Sequence, residues 1–81
     1  MNKAITYFSY NIKNRCLYAN DKHIVYCEKL GDTYYFYIKS GGKQRYLENS
    51  ELKLLASTAK WFIENQGSDF GEPIQKLLNS L

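Results

Sequence analysis

The chain has 81 residues, 44% of them hydrophobic, and a net charge of +3. That length suits one small domain spanning 1–81 with a core of its own, and a composition with a single proline and no low-complexity run excludes a disordered chain. No apolar run approaches the ~20 residues that span a bilayer, and the start MNKAITYFSYN lacks the apolar stretch and small-residue cleavage site of a secretory signal.

The first 48 residues read as strands. In chain order these are Ala4–Tyr10, Arg15–Ala19, His23–Leu30, Thr33–Ser40 and Lys43–Glu48, separated by NIKN, NDK, GD and GG. Gly31-Asp32 and Gly41-Gly42 fit two-residue hairpin turns, because glycine accepts the positive φ that such turns require. Asn20–Lys22 fits a three-residue turn.

Asn49 or Ser50 then caps a helix that runs to about Gln66 and stops at Gly67. Leu52, Leu55, Ala56, Ala59, Phe62 and Ile63 form its apolar stripe. Leu54 and Trp61 fall on the opposite side, where the last segment of the chain is expected to cover them. A second helix over 73–80 has Pro73 in its first turn and lines one face with Ile74, Leu77, Leu78 and Leu81. The expected fold is α+β: an antiparallel β-meander of four to five strands with two C-terminal helices packed on one face.

The turns set the register. A turn at Gly31-Asp32 pairs Tyr26 with Tyr37 and Cys27 with Phe36, and a turn at Gly41-Gly42 pairs Tyr37 with Tyr46 and Phe36 with Leu47. Side chains alternate between faces along a strand. One face therefore collects Val25, Cys27, Tyr34, Phe36, Ile38 and Leu47, and the helices are expected on it. The other collects Tyr26, Tyr37 and Tyr46 in a row, flanked by Tyr35, Glu28, Glu48, Lys39 and Gln44. The turn at Asn20–Lys22 pairs Tyr18 with Ile24 and adds Tyr18 to that row. Phe8 then points inward and Tyr7 outward. Arg45 is discordant, because this register puts it on the core face; snorkelling from an edge strand is the expected resolution.

Little in the chain points to catalysis. His23 is the only histidine, and no pair of acids stands at a telling spacing. Cys16 and Cys27 lack the spacing of a metal site and are expected as free thiols in a reducing compartment. Ser40–Gly42 lies inside a hairpin and lacks the pattern of a phosphate-binding loop. A non-enzymatic protein without cofactor or metal, monomeric and cytoplasmic, is expected.

Four of the eight tyrosines fall within Asp32–Glu48, and most of the chain's tyrosines share one open face. Cross-strand aromatic pairing accounts for part of this, at ~0.2–1 kcal/mol per pair. A recognition surface accounts for more, since tyrosine offers a large contact area, a polar tip and few rotamers to freeze. Stacking of unpaired bases uses the same geometry. Residues 1–48 carry eight Lys/Arg against four Asp/Glu, and residues 49–81 carry three against four, so the strand half is the basic half. Glu28 and Glu48 on the tyrosine face oppose phosphate binding.

Three motifs extend this reading. They are Lys3-Ala4-Ile5-Thr6-Tyr7-Phe8-Ser9, then Asn14-Arg15-Cys16-Leu17-Tyr18-Ala19-Asn20, then Trp61-Phe62 followed by Gly67-Ser68-Asp69-Phe70-Gly71. In this order and chain length they resemble the small type I-F anti-CRISPR family whose members bind the backbone subunits of the Csy surveillance complex. The resemblance covers both ends of the chain, and the hairpin at Gly41-Gly42 lies outside it. It implies an inhibitor encoded by a phage or mobile element and acting in the host bacterial cytoplasm. Such an inhibitor sits on Cas proteins of the complex and blocks pairing of target DNA with the guide. By motif the family's two tyrosines fall on Tyr7 and Tyr18, and its glutamate falls near Glu28, one residue out of step. Together with the register, this makes Tyr7, Tyr18, Tyr26, Glu28, Tyr37, Tyr46 and Lys39 the expected partner-binding residues. The rival reading is a small nucleic-acid-binding module using the same face with Lys39, Lys43 and Arg45.

Overall fold

The structure, a computed structural model, describes residues 4–81. Among them the fold is α+β, with six antiparallel strands in two three-stranded sheets followed by two helices. The first sheet contains β1 (Phe8–Asn11), β2 (Cys16–Ala19) and β3 (His23–Ile24). The second contains β4 (Tyr26–Leu30), β5 (Thr33–Ser40) and β6 (Lys43–Tyr46). The helices are α1 (Asn49–Gln66) and α2 (Glu72–Ser80).

The turn-derived register holds at every pair it named. Tyr18 faces Ile24, Tyr26 faces Tyr37, Cys27 faces Phe36 and Tyr37 faces Tyr46. A bond from the Leu47 N–H to the Phe36 carbonyl, at 2.9 Å, extends the last ladder by one step. Asn20 and Asp21 both take positive φ, at 54° and 57°, which lets three residues reverse the chain between Ala19 and His23.

Some strand ends shift by one or two residues, and two differences are larger. The first strand starts at Phe8 rather than Ala4, because a side chain takes the bonds that a strand would have made. Asn20 Oδ1 accepts the Thr6 N–H at 2.9 Å and the Tyr7 N–H at 3.4 Å, and Asn20 Nδ2 donates to the Ala4 carbonyl at 2.9 Å. The expected strand His23–Leu30 divides at Val25, where pairing passes from β2 to β5. The Val25 N–H still reaches the Leu17 carbonyl at 2.8 Å. Inward and outward positions keep alternating through the break, with Ile24 exposed and Val25 packed on the core.

The core joins Phe8, Ala19, Phe36, Ile38 and Leu47 of the strand half to Leu55, Ala56, Ala59, Ile74 and Leu77 of the helices. Ile38 and Leu55 are fully buried, and removing each from water contributes roughly 1.5–3 kcal/mol. Leu54 also packs on this core. Trp61 does not: it is 51% exposed and rests edge-on against Phe62, so the last segment leaves it uncovered. Leu81 is likewise exposed, one residue beyond the end of α2. Cys27 shares the side of Phe36 but is exposed, on the wall of a groove that it lines with Phe70 and Ile74.

Arg45 finds a partner rather than snorkelling. Its guanidinium donates to both Glu51 carboxylate oxygens, at 2.9 and 2.8 Å. Glu51 is 7% exposed and sits in the first turn of α1. It also accepts the Glu48 N–H at 2.9 Å, which makes Glu48 the N-cap in a reciprocal capping box in place of Asn49 or Ser50. One carboxylate thus starts the helix and ties it to the hairpin. Gly67 ends α1 in the left-handed region at φ 66°, and its N–H and that of Ser68 return to the Ile63 and Phe62 carbonyls.

Candidate binding face of the sheets

The outward sides of the two sheets carry the expected residues in two separate networks. On the second sheet the cross-strand register sets Tyr26, Tyr37 and Tyr46 side by side. Tyr26 stacks on Tyr37 with ring centres 5.4 Å apart, and Tyr37 meets Tyr46 at 5.6 Å. Tyr35 approaches Tyr46 edge-on at 6.2 Å. The Lys39 ammonium lies 4.9 Å from the centre of the Tyr26 ring, within cation–π reach. The Tyr46 hydroxyl donates to Glu28, which holds that carboxylate against the ring row.

On the first sheet Tyr7 and Tyr18 are held by polar neighbours instead of by other rings. The Tyr7 hydroxyl donates to Asp21 Oδ2 at 2.5 Å, and the Ser9 hydroxyl donates to Asp21 Oδ1 at 2.6 Å. Asn14 Nδ2 donates to the Tyr18 hydroxyl at 2.9 Å, while Asn14 Oδ1 accepts the Cys16 N–H at 3.0 Å. Ser9 lies directly across from Tyr18 in the β1–β2 ladder. Tyr7 is 43% exposed and Tyr18 half-buried.

Asp21, Ser9 and Asn14 are therefore parts of this face that strand alternation did not single out. Asp21 and Asn14 lie in turns, where alternation says nothing about which way a side chain points. The signal available in the sequence was composition: short polar residues beside a turn bond to neighbouring groups.

The electrostatics follow from these contacts. The hydrogen bond to Asp21 raises the Tyr7 phenol above its ordinary range, and the bond to Glu28 does the same for Tyr46. Hydrogen bonds from Ser9 and then Tyr7 lower the Asp21 carboxyl below its ordinary range. The outward face thus presents aromatic rings with oriented carboxylates at Asp21 and Glu28. Of the basic residues named for the nucleic-acid reading, Lys39 alone shares the outward side with the tyrosines; Lys43 and Arg45 fall on the opposite side of β6, where Arg45 pairs with Glu51.

No helix among the described residues is long and apolar enough to cross a membrane. No group of three His, Cys, Asp or Glu among them is arranged to hold a metal ion. Cys16 and Cys27 are free thiols. Comparison of the chain with protein-family models, with curated proteins and with solved structures yields no match.

Proposed function

We propose that the outward face of the sheets is a protein-binding surface, and that the chain is a non-enzymatic inhibitor of a type I-F CRISPR–Cas surveillance complex. In this reading it binds the backbone subunits of the complex and blocks pairing of target DNA with the guide. The face itself supports protein binding, with a row of tyrosine rings and carboxylates fixed beside them, and the choice of partner comes from the family resemblance. Tyr7, Tyr18 and Glu28, the residues to which the family resemblance assigns contact, all belong to that face.

The chemistry suits a surface that grips nucleic acid, which is rich in lysine and arginine. Tyrosine rings lie against guanidinium planes and lysine stems. Glu28 and Asp21 pair with ammonium or guanidinium groups that would otherwise hold DNA. Side chains already fixed by Asp21, Asn14 and ring stacking lose little freedom on binding, which leaves more of the contact energy as affinity.

Nucleic-acid binding by the same face fits less well. Its carboxylates repel phosphates, and Arg45 is committed to Glu51. Gel filtration of the chain with purified type I-F complex, followed by addition of target DNA or of nonspecific DNA, separates the two. Co-elution with loss of target-DNA binding is the expected result. Failure to co-elute, with salt-sensitive binding to the nonspecific DNA, overturns it in favour of the nucleic-acid module.

A further inference from the structure

β5 is eight residues long, but its two neighbours cover different parts of it. β4 pairs with it from Thr33 to Tyr37. β6 pairs with it from Tyr37 to Ser40, and the Leu47 N–H bond to the Phe36 carbonyl closes that ladder. There the chain turns away through Glu48 into α1, so among the described residues the edge of β5 facing away from β4 has no strand beside it from Thr33 to Tyr35.

Which backbone groups that edge offers follows from the hairpin. In an antiparallel ladder, alternate residues turn both backbone groups toward the same neighbour. Leu30 and Thr33 close the two-residue turn, so Thr33 and Tyr35 bond to β4. Phe36 bonds to Leu47 on the other side. The N–H and C=O of Tyr34 point to that same other side, where β6 has ended.

This edge is one wall of a groove of about 280 Å³ whose other wall is α2. Phe36, Leu47, Leu52 and Leu77 make it apolar, and Lys76 stands at its rim. We propose that the groove takes an extended peptide segment of a partner protein as an added strand beside Tyr34. An apolar side chain of that segment would enter the groove, and a carboxylate would pair with Lys76.

Three features select this occupant. An open N–H and C=O at a strand edge are matched by another strand, which supplies both groups at the right spacing. The residue opposite Tyr34 would point to the same side as Tyr34, toward α2 and the apolar groove, while its neighbours would point outward beside Tyr35 and Tyr46. The added strand would thus continue the line of β6 and the tyrosine face. The charge fits as well. The ammonium groups of Lys29 and Lys76 both lie over the Tyr34 ring, at 5.6 and 5.5 Å. The carboxylate nearby, Glu72, already accepts the Tyr34 hydroxyl and is 3.9 Å from Lys76. Asp32, at the turn, also lines the groove and would repel a carboxylate placed beside it. The slot is bounded by the turn at Asp32, by Leu52 of α1 and by Pro73, Lys76 and Leu77 of α2, a width suited to one extended chain.

This site adjoins the outward tyrosine face at Tyr35 and Tyr46 but rests on the open edge at Tyr34, and it stands whether or not that face binds a Cas protein. The test is amide hydrogen exchange and chemical-shift titration of the full chain with short blocked peptides. These carry threonine at alternate positions, a central leucine, valine or phenylalanine, and a glutamate two places from the centre. The expected result is an amide at Tyr34 that exchanges freely in the isolated chain and slows about tenfold or more at saturation. Shifts are expected at Lys76 and Leu77, and Lys76→Glu should transfer the preference to peptides with lysine in place of glutamate. No slowing with any of these peptides at millimolar concentration overturns the proposal. So does protection of Tyr34 that rises with protein concentration alone, which would assign the edge to a second copy.

Discussion

The two sides of β5 divide the work of the molecule. Phe36 and Ile38 point inward, are buried, and lock the second sheet to the helices. Tyr35 and Tyr37, one residue away, point outward and set their rings against other tyrosines. A single strand thus carries a core on one side and a prearranged aromatic surface on the other. The lesson is that outward order here does not come from burial. It comes from ring contacts on the second sheet and from hydrogen bonds to Asp21 and Asn14 on the first.

Substitutions on the two sides should separate cleanly. The largest effect is expected from Ile38→Ala, which opens a cavity in the core and should cost about 4 kcal/mol of unfolding free energy in urea titration. Arg45→Ala should cost about 3 kcal/mol, because it strands the nearly buried Glu51 carboxylate that also caps α1. On the outward side, Tyr7→Ala and Tyr18→Ala should each weaken binding to the type I-F complex about ten- to a hundredfold while keeping the fold and lowering the urea midpoint far less than Ile38→Ala. Tyr37→Ala should lower stability by only about 0.5–1 kcal/mol, the worth of its cross-strand ring pairs. A loss from Tyr37→Ala as large as that from Ile38→Ala would break the comparison.

The smallest effects are expected from pH. Tyr7, Tyr34 and Tyr46 hold their phenolic protons more tightly in the folded chain, because each donates to a carboxylate. Their stabilising contribution is complete below the ordinary phenol range near ~10 and is lost as pH rises through the higher folded values. Asp21, Glu51 and Glu72 behave in the opposite sense, since hydrogen bonds lower all three. Their contribution is complete above the ordinary carboxylate range and is lost as pH falls through the lower folded values. Ultraviolet titration of the phenols and urea midpoints across acid pH measure the two limbs. Asp21→Asn should return the Tyr7 phenol toward its ordinary range.

Much of this was legible in the residues because the turns are short. Gly31-Asp32 and Gly41-Gly42 leave one register each, and period-two alternation then sorts Phe36 and Ile38 from Tyr35 and Tyr37. What escaped was decided by contacts remote in sequence or by side chains in turns. Arg45 looks misplaced until α1 brings Glu51 to it. Ala4–Tyr7 reads as strand, yet the Asn20 amide claims its backbone. Glu48 outcompetes Asn49 and Ser50 as the helix cap because Glu51 is already anchored there. The exposure of Trp61 depended on the path of α2, which helical periodicity alone does not set.

The most direct test is the affinity of the parent chain, Tyr18→Ala and Tyr35→Ala for purified type I-F complex, measured by calorimetry at low and high salt. The account predicts tight binding by the parent that weakens with salt far less than phosphate-driven binding would and falls at least about tenfold in Tyr18→Ala, with the fold retained. Equal affinity for all three chains, or no binding by the parent, would contradict it.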